Sequence, residues 1–255
     1  MMSLNEVRLA PVSLKQITAK QYLYKLKGHS GLILTLVFIQ LLSLLFSLGS
    51  RGGMSSSNEF LQVVVNTYSG DVFLVFSFIW MVVVSSFLIS QPYQSIEFSV
   101  VNNRVTSHLS NILLILTYAV FAGITATLMT IPQRFLLLMT LKESEFLFGG
   151  LQIVPGDLLL GSLVACLYLL LLGAGAYFIQ TVSQSLSKKL GIILWITLFA
   201  FGFGYIRILA FQMGNLLSFY TGESSLGLFV GKVIGSIVLL FGLSILISRQ
   251  TEVKR

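Results

Sequence analysis

Few side chains in this chain are suited to chemistry, and they are scattered. Its 255 residues include two histidines, His29 and His108, and one cysteine, Cys166. Neither histidine has a second ligand-forming residue at the short spacing that sequence-local metal sites use. Both are read as solvated or interfacial polar residues, so no metal is expected. There is no HExxH, no GxSxG and no carboxylate pair within an apolar run, so hydrolytic chemistry has no motif to rest on. No catalytic residue and no cofactor are expected.

One stretch imitates a nucleotide site. Gly227-Leu-Phe-Val-Gly231-Lys232-Val233 resembles a phosphate-binding loop, but it has three residues between its glycines and valine after the lysine. The loop requires four residues there, followed by Ser or Thr. These glycines have a different use. Gly227, Gly231 and Gly235 recur every fourth residue, giving two overlapping GxxxG patterns on one helix face. Removing side chains from a face lets another helix backbone approach. Packing within the subunit is expected, with a seam between two copies as the alternative. The run Gly173-Ala-Gly-Ala176 reads similarly. Cys166 lies in an apolar run, cannot form an intrachain disulfide, and is read as a small packed residue.

Arg207 and Lys232 also lie in apolar runs. A charge there faces protein, a watery cavity or the headgroups. One reading is snorkelling to the outer surface or pairing with Glu223 or Asp157. The other is a basic outer-leaflet site for an anionic substrate or lipid headgroup.

These positions require a membrane scaffold. The chain is 55% hydrophobic and 10% charged, with a mean hydropathy of +0.91. Soluble domains carry about 25% charged residues. The apolar residues form six runs of bilayer-crossing length, near 31–49, 72–90, 112–131, 158–178, 190–210 and 226–248. An all-α integral membrane protein with one transmembrane domain, 1–255, is expected.

Six spans place both termini on one side. With that side cytoplasmic, the inner segments hold eleven basic residues against three acidic ones, and the outer segments three against six. This is the positive-inside pattern, so both termini are expected in the cytoplasm. The net charge of +7 flanks the spans and forms no single patch. It marks topology and contacts with anionic membrane lipids, not nucleic acid. About thirty mostly polar residues precede the first apolar run, where a cleavable signal would place its apolar region earlier, so a retained N-terminus is expected.

The connecting segments differ in character. Ser13–Lys27 lacks helix breakers and sets lysines beside tyrosines, which predicts an interfacial helix. Ser50–Asp71 opens with Gly and Ser and is read as flexible chain. Pro132–Asp157 holds an apolar stretch suited to a short surface helix, ended by Pro155-Gly-Asp157, and Phe211–Ser225 is apolar enough to dip back into the membrane. Gln91–Asn111 is much longer than a reversal between two helices needs. Its mixed apolar and charged residues predict a short helix of its own on the cytoplasmic face.

A basic pre-helix, six spans with both ends inside, and a structured loop after the second span together resemble ABC-2-type transporter permeases. That family's loop commonly carries an acidic residue, a Pro-Val-Ser-Arg-like turn and a basic residue opening the third span. Here Glu97, Val100-Val-Asn-Asn-Arg104 and Val105–Asn111 have similar spacing, without the proline and with Asn111 in the place of the lysine. The resemblance implies a multi-pass subunit of a bacterial plasma-membrane exporter, with ATP hydrolysed by a separate ATP-binding subunit. It further implies a second permease copy, identical or related, and a coupling helix in the loop. Ile96, Phe98, Val100 and Val101 would supply its apolar contact with the ATPase, and Glu97 and Arg104 the polar rim. The apolar interior suits hydrophobic or amphipathic cargo such as a peptide, lipid or drug. A channel or carrier working without ATP, and a membrane assembly or regulatory subunit that transports nothing, are the alternatives.

Overall fold

Helices that associate in lipid gain nothing by burying leucine against leucine, so small and polar residues form their contacts. The helix Ser30–Gly49 follows this rule. It buries Leu36, Gln40, Ser43 and Ser47 and exposes Leu34, Phe38, Leu41 and Leu45. A water-soluble helix would show the reverse.

The computed structural model describes residues 14–49, 52–58, 61–67, 70–89, 104–140, 154–186 and 225–250, and single positions between 191 and 222. The elements are α1 (Leu14–Gly28), α2 (Ser30–Gly49), β1 (Gly52–Asn58), β2 (Leu61–Thr67), α3 (Asp71–Phe87), α4 (Arg104–Leu128), α5 (Thr130–Thr140), α6 (Pro155–Ser185) and α7 (Leu226–Gln250). Four stretches are long and apolar enough to cross a bilayer: Ser30–Gly49, Val105–Met139, Pro155–Ser185 and Leu226–Ser248. Asp71–Phe87 is apolar and shorter. This is a multi-pass membrane helix bundle. The expected span at 190–210 and the segment 211–225 fall mostly outside the described residues.

Three boundaries depart from the sequence reading. The polar stretch Gln91–Asn111 is not one loop, because its last eight residues, 104–111, form the first two turns of α4. They contain no Gly or Pro, and hydrogen bonds take up the side chains of Ser107, His108, Ser110 and Asn111, so the helix starts well before the apolar run. Residues 90–103 lie outside the described residues. At the other end of this span, α4 breaks at Met129 before α5. Pro132 has no N–H for the Leu128 carbonyl, which releases one helical bond there. The Ser50–Asp71 segment, read as flexible, contains an antiparallel hairpin pairing Gly52 with Thr67 and Asn58 with Leu61. The β-branched run Val63-Val-Val65 supplies strand propensity that the Gly/Ser-rich partner lacks.

α6 runs to Ser185, well past the apolar residues, and takes in Pro155-Gly-Asp157, read from the sequence as a break before the span. Pro155 stands in its first turn, where its missing N–H costs no helical bond, and Asp157 near its positive end. Side-chain contacts fix the directions of the helices. Gly173 of α6 faces Met81, Ser85 and Ile115. Tyr168 stacks near Phe229 and Tyr177 near Phe241, so α6 and α7 run parallel. Gln40 bonds Ser77 and Thr35 bonds Trp80, so α2 and α3 are antiparallel. α4 is antiparallel to both α6 and α7, with Gly123 on Cys166 and His108 near Ser248. The core between them holds Trp80, Met81, Tyr118, Leu169, Tyr177 and Val233.

Candidate functional site

The start of α4 is polar at most positions, and Thr106, His108, Ser110 and Asn111 are buried. Buried polar groups need partners, the more so where lipid surrounds the bundle. Ser110 donates to the Ser107 carbonyl of its own helix, whereas His108 and Asn111 find partners on other elements.

Ser107 and Asn111 stand one turn apart on the side facing α1. Lys25 Nζ donates to Asn111 Oδ1 at 2.6 Å, to Ser107 Oγ at 3.2 Å and to the Ser107 carbonyl at 3.4 Å. The first of these is short, as charge-assisted bonds are. Asn111 Nδ2 donates across to the Leu88 carbonyl at 3.5 Å, just beyond α3. Gln184 Nε2 of α6 donates to the neighbouring Ile89 carbonyl. Two side-chain amides thus engage backbone carbonyls at the end of α3.

His108 faces the other way. Its Nδ1 lies 2.6 Å from the Tyr177 hydroxyl of α6 and its Nε2 lies 2.7 Å from Ser248 Oγ of α7. A neutral imidazole has one donor and one acceptor, and either hydroxyl can take either part. The Tyr177 ring meets His108 and Phe241 edge-on, with centroids 5.9 Å and 5.7 Å apart. Every partner belongs to the same end of the bundle: the ends of α1, α3, α6 and α7 and the start of α4. This polar collar is the most connected polar group among the described residues.

Of the two readings given for the histidines, solvated or interfacial, burial overturns the solvated one. His29 and His108 are each only 8% exposed. His29 occupies the turn between α1 and α2, where its Nδ1 lies 2.5 Å from the Lys25 carbonyl and its own carbonyl accepts from the Tyr118 hydroxyl at 3.3 Å. α1 forms as expected, but it turns Thr18 and Lys25 inward onto α4 and leaves Leu14, Leu23 and Tyr24 exposed.

Ile96, Glu97, Phe98, Val100, Val101 and Arg207 lie outside the described residues, and Arg104 is seen only as the first residue of α4. Lys232 Nζ sits 4.2 Å from the Phe219 ring centroid and 3.4 Å from the Phe219 carbonyl. The cation is therefore held over an aromatic face, a partner that the sequence reading did not include.

Gly227, Gly231 and Gly235 are exposed. Among the described residues, nothing stands within 4 Å of a Cβ built on Gly231 or Gly235. The buried face of α7 is Phe229, Val233, Ile237 and Phe241, about half a turn away. Among the described residues, close helix contact occurs at Gly123 and Gly173, where an added Cβ would meet Cys166 and Met81. Cys166 is half-buried on the face of α6 that meets Gly123, with Sγ 3.5 Å from the Val120 carbonyl, and so packs against α4 without belonging to the core.

Sequence reasoning passed over Lys25, Ser107, Asn111, Tyr177, Gln184 and Ser248. The available signal was the run of hydroxyl and amide residues in Arg104–Asn111, which a solvated loop would not need. No protein-family profile, curated protein or solved structure matches the chain.

Proposed function

We propose that this chain is the membrane-spanning subunit of an ATP-driven exporter, with six spans, both termini cytoplasmic and a separate ATP-binding subunit docked on the chain between α3 and α4. The observation that carries the topology is the parallel course of α6 and α7. Parallel neighbours require the chain between them to return across the membrane, and the apolar residues 190–210 supply the span. The lysines of α1 then share one side with the start of α4 and the ends of α3, α6 and α7, while Asp71 and Asp157 occupy the other. That division agrees with positive-inside orientation.

Docking on residues 90–103 is supported by where that segment begins and ends. It leaves α3 at the carbonyls engaged by Asn111 and Gln184 and enters α4 at the collar, so both of its ends adjoin packed helices. Ile96, Phe98, Val100 and Val101 offer the apolar contact, and Glu97 and Arg104 the rim. Arg207 and Lys232 lie toward the outer leaflet, suited to an anionic headgroup or substrate. The lipid-like exterior and sparse interior charge favour hydrophobic or amphipathic cargo.

The test is co-purification from the native membrane in mild detergent. An ATP-binding subunit should accompany the chain, and Phe98→Asp with Val101→Asp should release it while chain abundance holds. A chain that purifies without an ATPase overturns the proposal.

A further inference from the structure

The bonds of the collar radiate from one eight-residue segment. Ser107 and Asn111 reach α1 and the end of α3, His108 reaches α6 and α7, and Gln184 ties α6 back to α3. At the opposite end, Thr125, Thr127, Thr130 and Ser162 bond carbonyls three or four residues back in their own sequence. Those hydroxyls add nothing between helices. Further along the bundle, Gln40 of α2 donates to Ser77 Oγ of α3 at 3.2 Å and to the Ala122 carbonyl of α4 at 3.4 Å. The bonds of His108 and Gln184, which join α4 and α3 to α6 and α7, lie at the collar.

We propose that Arg104–Asn111 is a mechanical joint that makes the ends of α1, α3, α6 and α7 move as one body. Displacing the start of α4 then turns four helices together. The rigid body stands on the geometry alone; its use in transport rests on the permease reading. Asn111 is the central positioning residue, since its amide accepts from Lys25 on one side and donates toward Leu88 on the other. His108 plays the same part for α6 and α7.

Hydrogen–deuterium exchange of the full chain in lipid nanodiscs tests this without a partner or cargo. Asn111→Leu should raise exchange about tenfold at the end of α7, to which Asn111 makes no bond, as well as in α1 and at the end of α3. His108→Leu should do the same in α1, to which His108 makes no bond. Exchange that rises only in the helices each side chain touches overturns the joint. If Asn111→Leu fails to fold, Lys25→Met removes the same link from the α1 side and carries the same two outcomes. An absent ATPase would defeat the permease reading and leave this result as it stands.

Discussion

Gly123 of α4 lies directly on the backbone of Cys166 in α6. A Cβ built on the glycine would stand 2.5 Å from Cys166 Sγ, 2.8 Å from its N and 3.0 Å from its Cα. A sulfur can rotate away, but a helix backbone cannot. Gly123→Ala should therefore destabilise the bundle by about 3 kcal/mol, at the upper end of ordinary overpacking. Cys166→Ala should not rescue it. Thermal unfolding in detergent checks both, and a rescued double variant would show that the sulfur alone set the spacing.

Gly231 should behave in the opposite way. Helix propensity favours alanine by about 1 kcal/mol at an exposed interior position. Gly231→Ala should be neutral or stabilising in the isolated chain. A loss of more than about 1 kcal/mol would mean that another backbone packs on this face.

The Lys25–Asn111 pair can be weighed by a double-mutant cycle with Lys25→Met and Asn111→Leu. Polar pairs between membrane helices average about 0.6 kcal/mol of coupling. An ammonium donor at 2.6 Å in a buried site should exceed that, so about 1.5 kcal/mol is expected. The double variant should cost less than the sum of the two singles by that amount, since Lys25 keeps Ser107 when Asn111 is replaced. Coupling below about 0.5 kcal/mol would reduce the contact to simple packing.

Tyr177 separates ring from hydroxyl. Tyr177→Phe keeps the edge contacts with His108 and Phe241 and loses only the bond to the imidazole, so about 1 kcal/mol should be lost. Tyr177→Ala should cost about 3–5 kcal/mol through the cavity. Near-equal losses from the two would place the ring's contribution on the hydroxyl.

The helical class and several spans were legible because hydropathy reports length and sidedness directly. The apolar run at 31–49 matches the helix Ser30–Gly49 to within a residue, whereas Pro155-Gly-Asp157 reads as a break and is in fact the first turn of α6. Hydropathy does not report where a polar segment stays helical, and Arg104–Asn111 was misassigned for that reason. The stabilising groups for those two turns, Lys25, Tyr177 and Ser248, are 82, 69 and 140 residues from their partners in the chain. The glycine periodicity was equally ambiguous. A GxxxG pattern shows that a face is smooth, whereas Gly123, without a pattern, was selected by contact with one residue on another helix.

Topology is testable with single cysteines in a Cys166→Ser background. An impermeant maleimide applied to intact cells should label Ser56→Cys, and should reach Lys27→Cys and Lys254→Cys only after permeabilisation. Labelling of Lys27→Cys from outside would reverse the proposed orientation.

The bond between Lys25 and Asn111 also sets an order of assembly. Lys25 is made 86 residues before its acceptor, so α1 leaves the ribosome with its inward face unpartnered. At about 5–20 residues per second, that wait lasts several seconds. Until α4 is inserted, the lysine has to remain hydrated among the headgroups, so α1 docks after its neighbours are in place. A nascent chain stopped before residue 104 should leave α1 open to protease, and one extended past residue 128 should protect it.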